Sequence, residues 1–210
     1  MKALKLSLIF TILFFASEST FGQKYKFQKL SSDTKKEAKK YENEGWNNFP
    51  GSLPISQQLN NSYLKQNETD ENGIQKWFFA TGIAVAQTLA VAEMQATELA
   101  KNNLVQQVES DIKSFTETTL ANNQISKDEA ESITKTINTV TNKMSQKLGR
   151  VIPLLKIFRE SSNTYEVQLQ VGYNIASAQK IMLSEVKKEL GDDADNIKSK
   201  MDSFLYNSNK

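Results

Sequence analysis

From residue 84 to residue 119 apolar side chains recur at three- to five-residue steps: Val85, Leu89, Ala92, Ala96, Leu99, Leu104, Val108, Ile112 and Phe115. That period predicts one long helix. Alanines at positions 84, 86, 90, 92, 96 and 100 make its first half narrow enough to lie close against another element. At a rise of 1.5 Å per residue an unbroken helix here spans about 50 Å, more than the diameter of a small domain. It must therefore bend or run past whatever it packs on.

The flanking segments say what that is. Residues 75 to 82, with Trp77, Phe78 and Phe79, read as a short aromatic-rich strand. After a break at residues 122 to 124, Ser126 and Glu129 have the spacing of a capping box. The helix it opens has Ala130, Ile133, Ile137, Val140, Met144 and Leu148 on one stripe and stops at Gly149. Its other faces are crowded with Thr and Asn, so packing rather than propensity must hold it, on the preceding helix or on a partner protein. Residues 150 to 160 read as a strand that Pro153 confines to an edge or a bulge. A turn at residues 161 to 163 leads to Tyr165, Val167, Leu169, Val171 and Tyr173, which alternate with polar residues as a half-buried antiparallel strand does. Asn174 caps a last helix through Leu190, with Ile175, Ala178, Met182 and Val186 along one side. The expected class is α+β: a small antiparallel sheet of about three strands on a long helical hairpin plus a C-terminal helix, occupying residues 75 to 191. A weakly helical tail follows over residues 192 to 210.

The segment before this core, residues 23 to 74, is lopsided in charge. Residues 24 to 40 carry seven lysines against Asp33 and Glu37. Thr34 and Glu37 fit a capping box for a helix that Gly45 closes. Lys35, Lys36, Lys39 and Lys40 on that helix are either a solvated face or a basic arm for anionic lipid or glycan. Trp46 and Phe49 stand in a turn-rich stretch, as plugs onto the core or as a ligand platform. Pro54 then opens a short helix with Ile55, Leu59 and Tyr63 on one face, and residues 70 to 73 form a turn.

Residues 1 to 22 have the plan of a secretory signal: Lys2 and Lys5, an apolar run from Leu6 to Ala16, then small residues at Thr20 and Gly22. The run is too short to span a bilayer, and no transmembrane span is expected after cleavage. Export to the periplasm, the outer-membrane surface or the medium is therefore expected. The chain holds neither cysteine nor histidine. That removes disulfides, thiolate and imidazole catalysis, and Cys/His metal sites. Stability must come from packing alone. A net charge of +2, without a basic stripe interleaved with aromatics in the helical core, makes nucleic acid a poor partner.

A hydrolase made from what remains would need a Ser-Lys pair or two carboxylates. Ser-x-x-Lys occurs at Ser32/Lys35, Ser110/Lys113, Ser132/Lys135, Ser177/Lys180 and Ser184/Lys187, all on expected helices, where such a lysine is exposed rather than buried. The acids at Asp192, Asp193 and Asp195 lack the glycine and glutamate of a calcium loop. No catalytic residue, cofactor or metal site is expected.

The runs at residues 77 to 84, 92 to 104 and 164 to 171, including Tyr165-Glu166-Val167 after the hairpin, resemble the Lpp-twenty lipoprotein family. The N-terminal module of flagellar T-ring proteins is similar, and this wider likeness covers residues 77 to 185. Gly45-Trp46, Phe49-Pro50-Gly51, Leu53-Pro54 and the segment from Gly149 to Pro153 resemble uncharacterised secreted proteins of the Bacteroidota. The resemblance implies an α+β envelope module without catalysis, used for attachment or assembly. The lipoprotein members carry a lipidated cysteine that this chain lacks, so the likeness is one of fold rather than of anchoring. The expected function is binding within an envelope assembly, with an envelope protein or a second copy as partner. The basic arm, Trp46, and Thr136 and Asn138 on the Asn/Thr-rich helix are its candidate contacts. A hydrolase using carboxylates and lysines, or a self-assembling structural module, are the alternatives.

Overall fold

The structure is a computed structural model that describes residues 30–122, 125–190 and 199 of the 210. Residues 1 to 29, which include the expected leader, and nearly all of the C-terminal tail, with its acidic cluster, lie outside the described residues. Among the described residues are five helices and one four-stranded antiparallel sheet, an α+β arrangement. The helices are α1 (Ser32–Asn43), α2 (Ile55–Gln66), α3 (Leu89–Ala121), α4 (Lys127–Lys147) and α5 (Ile175–Leu190). The strands are β1 (Asn47–Asn48), β2 (Trp77–Ala86), β3 (Ile152–Ser161) and β4 (Thr164–Asn174), in spatial order β1-β3-β4-β2.

Strand β4 organises the sheet because its alternation gives each face a different task. Val167, Leu169 and Val171 enter the main core, with α3, α4 and α5. Gln168 and Gln170 point the other way, where Tyr41 of α1 and Ser62 of α2 meet them at 3.4 and 2.5 Å. A smaller core there joins Ala38, Trp46, Ile55 and Leu59 to Leu155 and Ile157 of β3. Helices thus cover both faces. The hairpin between β3 and β4 turns through Ser162 and Asn163, both at positive φ, which matches the twist of the strands. Pro153 sits at a bulge, on a stretch of β3 that β1 does not reach.

Two boundaries differ from the sequence reading. Strand β2 continues to Ala86, two residues past the expected helix start, and pairs with β4 over its whole length. Ala80, Gly82 and Ala84 are its buried positions, so these small residues serve a strand lying under a helix; helix propensity had claimed Ala84 and Ala86. Helix α3 begins only at Leu89, where the Thr88 hydroxyl accepts from the Val91 amide at 3.3 Å. Val85 and Leu99 consequently leave the buried stripe and stand exposed. Helix α1 is capped by Ser31, not by the Thr34 and Glu37 box: Ser31 Oγ accepts from the Thr34 amide at 3.0 Å. Thr34 itself is buried, and Glu37 accepts a hydrogen bond from the Tyr63 hydroxyl. The fourth strand, β1, is two asparagines long, too short to leave a periodic mark.

The remaining elements follow their signals. Ser126 and Glu129 form the reciprocal capping box of α4, whose Ala130, Ile133, Ile137, Val140 and Met144 are buried. Asn174 Oδ1 accepts from the Ser177 amide at 2.9 Å at the start of α5. Between Trp46 and Phe49 the chain straddles the sheet edge: Trp46 enters the smaller core and Phe49 the main one.

Candidate binding surface

Strand β2 is an edge of the sheet, and an edge strand carries a row of unpaired backbone groups. From Trp77 to Ala86 it has no charged residue and no proline, the devices that ordinarily discourage strand addition. Half of the edge is closed by α3. Asn103 Nδ2 donates to the Thr81 carbonyl at 2.9 Å and Gln107 Nε2 to the Phe79 carbonyl at 2.8 Å. Since backbone groups alternate in direction along a strand, those of Ile83 and Val85 also point away from β4.

The side chains around this uncovered half are apolar. Ile83 and Val85 are 49% and 58% exposed on the outer face of β2. On α3, Val91, Gln95, Leu99, Asn103 and Gln107 are four apart, each one position before a buried residue, so they flank the buried stripe on one side. Asn103 and Gln107 on that flank reach the β2 edge, and Val91 and Leu99 on the same flank are exposed. Met94, one position further round, is 61% exposed.

Polar ties bound the patch. At the start of β2, Glu68 accepts from the Trp77 indole at 3.0 Å and pairs with Lys65 at 2.7 Å, while Lys65 Nζ stands 4.2 Å over the Trp77 ring. The Lys65 ammonium, then the indole N–H, hold the Glu68 carboxyl below its usual range against the opposing effect of desolvation. At the other end Glu166, across from Val85, pairs with Arg159 at 2.6 Å. Between these ties Ile83 and Val85 keep about half of their surface exposed among the described residues.

The residues singled out from the sequence fall in three places. Lys35, Lys36, Lys39 and Lys40 are all exposed on α1. Trp46 is 6% exposed, with Tyr41 edge-on at 6.4 Å and the Arg159 guanidinium 4.7 Å from its ring centre, so its ring is spent on packing. Thr136 is half-buried and Asn138 exposed on α4, whose apolar stripe is taken up by α3 and α5. The structure does not bring the lysines, Trp46 and the α4 pair into one site. Those five Ser-x-x-Lys pairs, and a sixth at Ser62/Lys65 on α2, all lie on helices; Lys113 pairs with Glu109 at 2.5 Å and Lys65 with Glu68 at 2.7 Å. The sequence pattern hides the β2 edge because Ile83 falls between the expected strand and the expected helix and Val85 fits the period of the helix. The charge-free run itself was its signal. No family model, curated protein or solved structure matches the chain.

Proposed function

We propose that this is an exported, non-catalytic envelope protein that works by binding, and that its partner adds a strand to the free half of β2. The likeness to Lpp-twenty lipoproteins and to secreted Bacteroidota proteins belongs to this proposal. The observation that carries it is that exposed Ile83 and Val85 stand on a charge-free edge whose outward backbone groups no strand of the described residues pairs. A second copy is the simplest partner, because two β2 edges can pair antiparallel about a two-fold axis and bury their apolar residues together.

The test is solution mass of the mature chain against concentration, with Ile83→Lys and Val85→Lys as variants. The native chain should form a dimer, and each lysine should shift it to monomer while leaving unchanged the melting temperature measured at dilutions where the native chain is also monomeric. A strict monomer at high concentration that also retains no envelope protein on cross-linking in intact cells would refute the reading. Retention in the cytoplasm on fractionation would refute export. The four exposed lysines of α1 support a subsidiary contact with anionic lipid or glycan. Vesicles with anionic headgroups should then retain the protein and neutral ones should not.

A further inference from the structure

A second feature lies at the opposite end of β2. A cleft of about 400 Å³ opens where the loop before β2, α3 and the start of α5 meet, with Asp70, Lys76, Phe78, Asp111, Ile175 and Gln179 in its lining. Gln179 is 4% exposed. Its Nε2 donates to Asp111 Oδ2 at 2.8 Å, which fixes the amide's orientation, because the reverse would set two acceptors against each other. The Gln179 carbonyl oxygen is then buried with no hydrogen-bond partner in the protein. Leaving a buried acceptor unpaired is costly, and such groups call for an explanation.

The chemistry around it is that of a cation-donor site. Asp111 offers a half-buried carboxylate beside the unpaired oxygen. Asp70 adds a second carboxylate, oriented by the Asn72 and Ile74 amides, which both donate to its Oδ1 at 2.8 Å. Phe78 and Ile175 give apolar wall, and Lys76 stands in the same lining. We propose that this cleft binds a primary ammonium compound with a short apolar body. Its N–H groups bond the Asp111 carboxylate, and its entry turns the Gln179 carbonyl oxygen, which is covered in this structure, towards it, while Lys76 accommodates a carboxylate where the ligand has one. A free amino acid and a peptide N-terminus both present that group.

Calorimetric titration of the mature full chain tests this with propylamine, alanine and alanyl-alanine as probes, and with propanol and N-acetylalanine as controls. At least one ammonium probe should bind saturably and the controls should not. Alanine binding alone would identify a free amino acid as the source, and tighter alanyl-alanine binding a peptide end. Asp111→Asn and Gln179→Met should each weaken binding about tenfold, the scale of one lost charge-assisted hydrogen bond. Asp70→Asn, at a loop position, should weaken it less and keeps the test open should the other variants fold poorly. The proposal is overturned if no ammonium probe binds the native chain, if the neutral controls bind equally, or if folded Asp111→Asn binds as tightly as the native chain.

Discussion

Replacing Gly82 by alanine measures how closely α3 lies on β2. A Cβ built at Gly82 stands 2.0 Å from the Ala96 carbonyl oxygen and 2.6 Å from the Ala100 amide nitrogen. Carbon reaches ordinary contact near 3.5 Å, so helix and strand must separate by more than about 1 Å. Both obstructing atoms are backbone, and no rotamer change relieves them. A gap of that size forfeits a quarter to a half of the dispersion attraction across it. It would open along Ala92, Ala96 and Ala100, which face the buried Ala80 and Ala84. Overpacking costs about 1–3 kcal/mol, and the rigid obstruction puts this site at the upper end, about 3 kcal/mol. For a domain of this size that lowers the melting temperature by roughly 6–12 °C. Gly149→Ala is the internal control: with φ +64° and nothing within 4 Å, it carries only the left-handed backbone penalty of about 1–2 kcal/mol. The measurement is thermal and urea unfolding of the three proteins. Should Gly82→Ala cost no more than Gly149→Ala, the helix does not rest on the strand backbone and the layer spacing described here is wrong.

Three further outcomes follow from buried polar contacts and caps. Gln58 is buried, donating to the Leu53 carbonyl at 2.6 Å and accepting from the Lys156 amide at 2.7 Å beside the β3 bulge. Gln58→Leu should therefore destabilise by about 2–4 kcal/mol although it is more apolar, with faster hydrogen exchange at the Lys156 amide; an unchanged exchange rate would contradict the contact. Ser126→Ala removes the capping box of α4 and should cost about 1 kcal/mol, seen as a lower melting midpoint by circular dichroism. The Tyr63 hydroxyl is pushed up to about 12, first by burial and then by its hydrogen bond to Glu37. Its neutral form is the one the fold favours, so this contribution is intact below pH about 10 and lost as pH rises towards 12. An alkaline absorbance difference between the native chain and Tyr63→Phe should show one late tyrosine, and Glu37→Gln should move it part of the way back; titration near pH 10 in the native chain would refute the contact.

What the sequence made legible was whatever repeats. Strand β4, helix α4 and helix α5 each bury one face along their length; the two helices begin at side-chain caps and the strand at a hairpin turn, so period and boundary agree. The junction of β2 and α3 was not legible, because alanine suits a strand pressed under a helix as well as the helix itself, and only pairing with β4 separates the two. Long-range polar partners leave no local trace at all. Ser62 meets Gln170 and Asp111 meets Gln179 only because the layers bring them together. Both surfaces argued above depend on such meetings: the β2 edge is partly closed by Asn103 and Gln107, and the cleft is built on Gln179. A sequence stripe marks what a helix buries, but not what its neighbouring residues reach.

The same limit explains how one helix serves two different partners. Among the described side chains of α3 the buried ones are Ala92, Ala96, Ala100, Leu104, Val108, Ile112 and Thr116, each four from the next, with Val105 beside them. A step of four on a helix of 3.6 residues per turn advances about 40°, so six steps carry the buried face about 240° round the axis. At the start that face lies on β2, where Gly82 meets Ala96 and Ala100. Further along, Asp111 reaches α5, and Thr116 stands beside Ala130 and Thr134 of α4. The small residues come first because a sheet's backbone must be approached closely. The larger ones follow where helix packs on helix at 8–10 Å between axes. A strict 3.6 repeat would have kept one face on the sheet and left the far half of the helix bare. The drift of the stripe lets α3 leave the sheet without leaving the core.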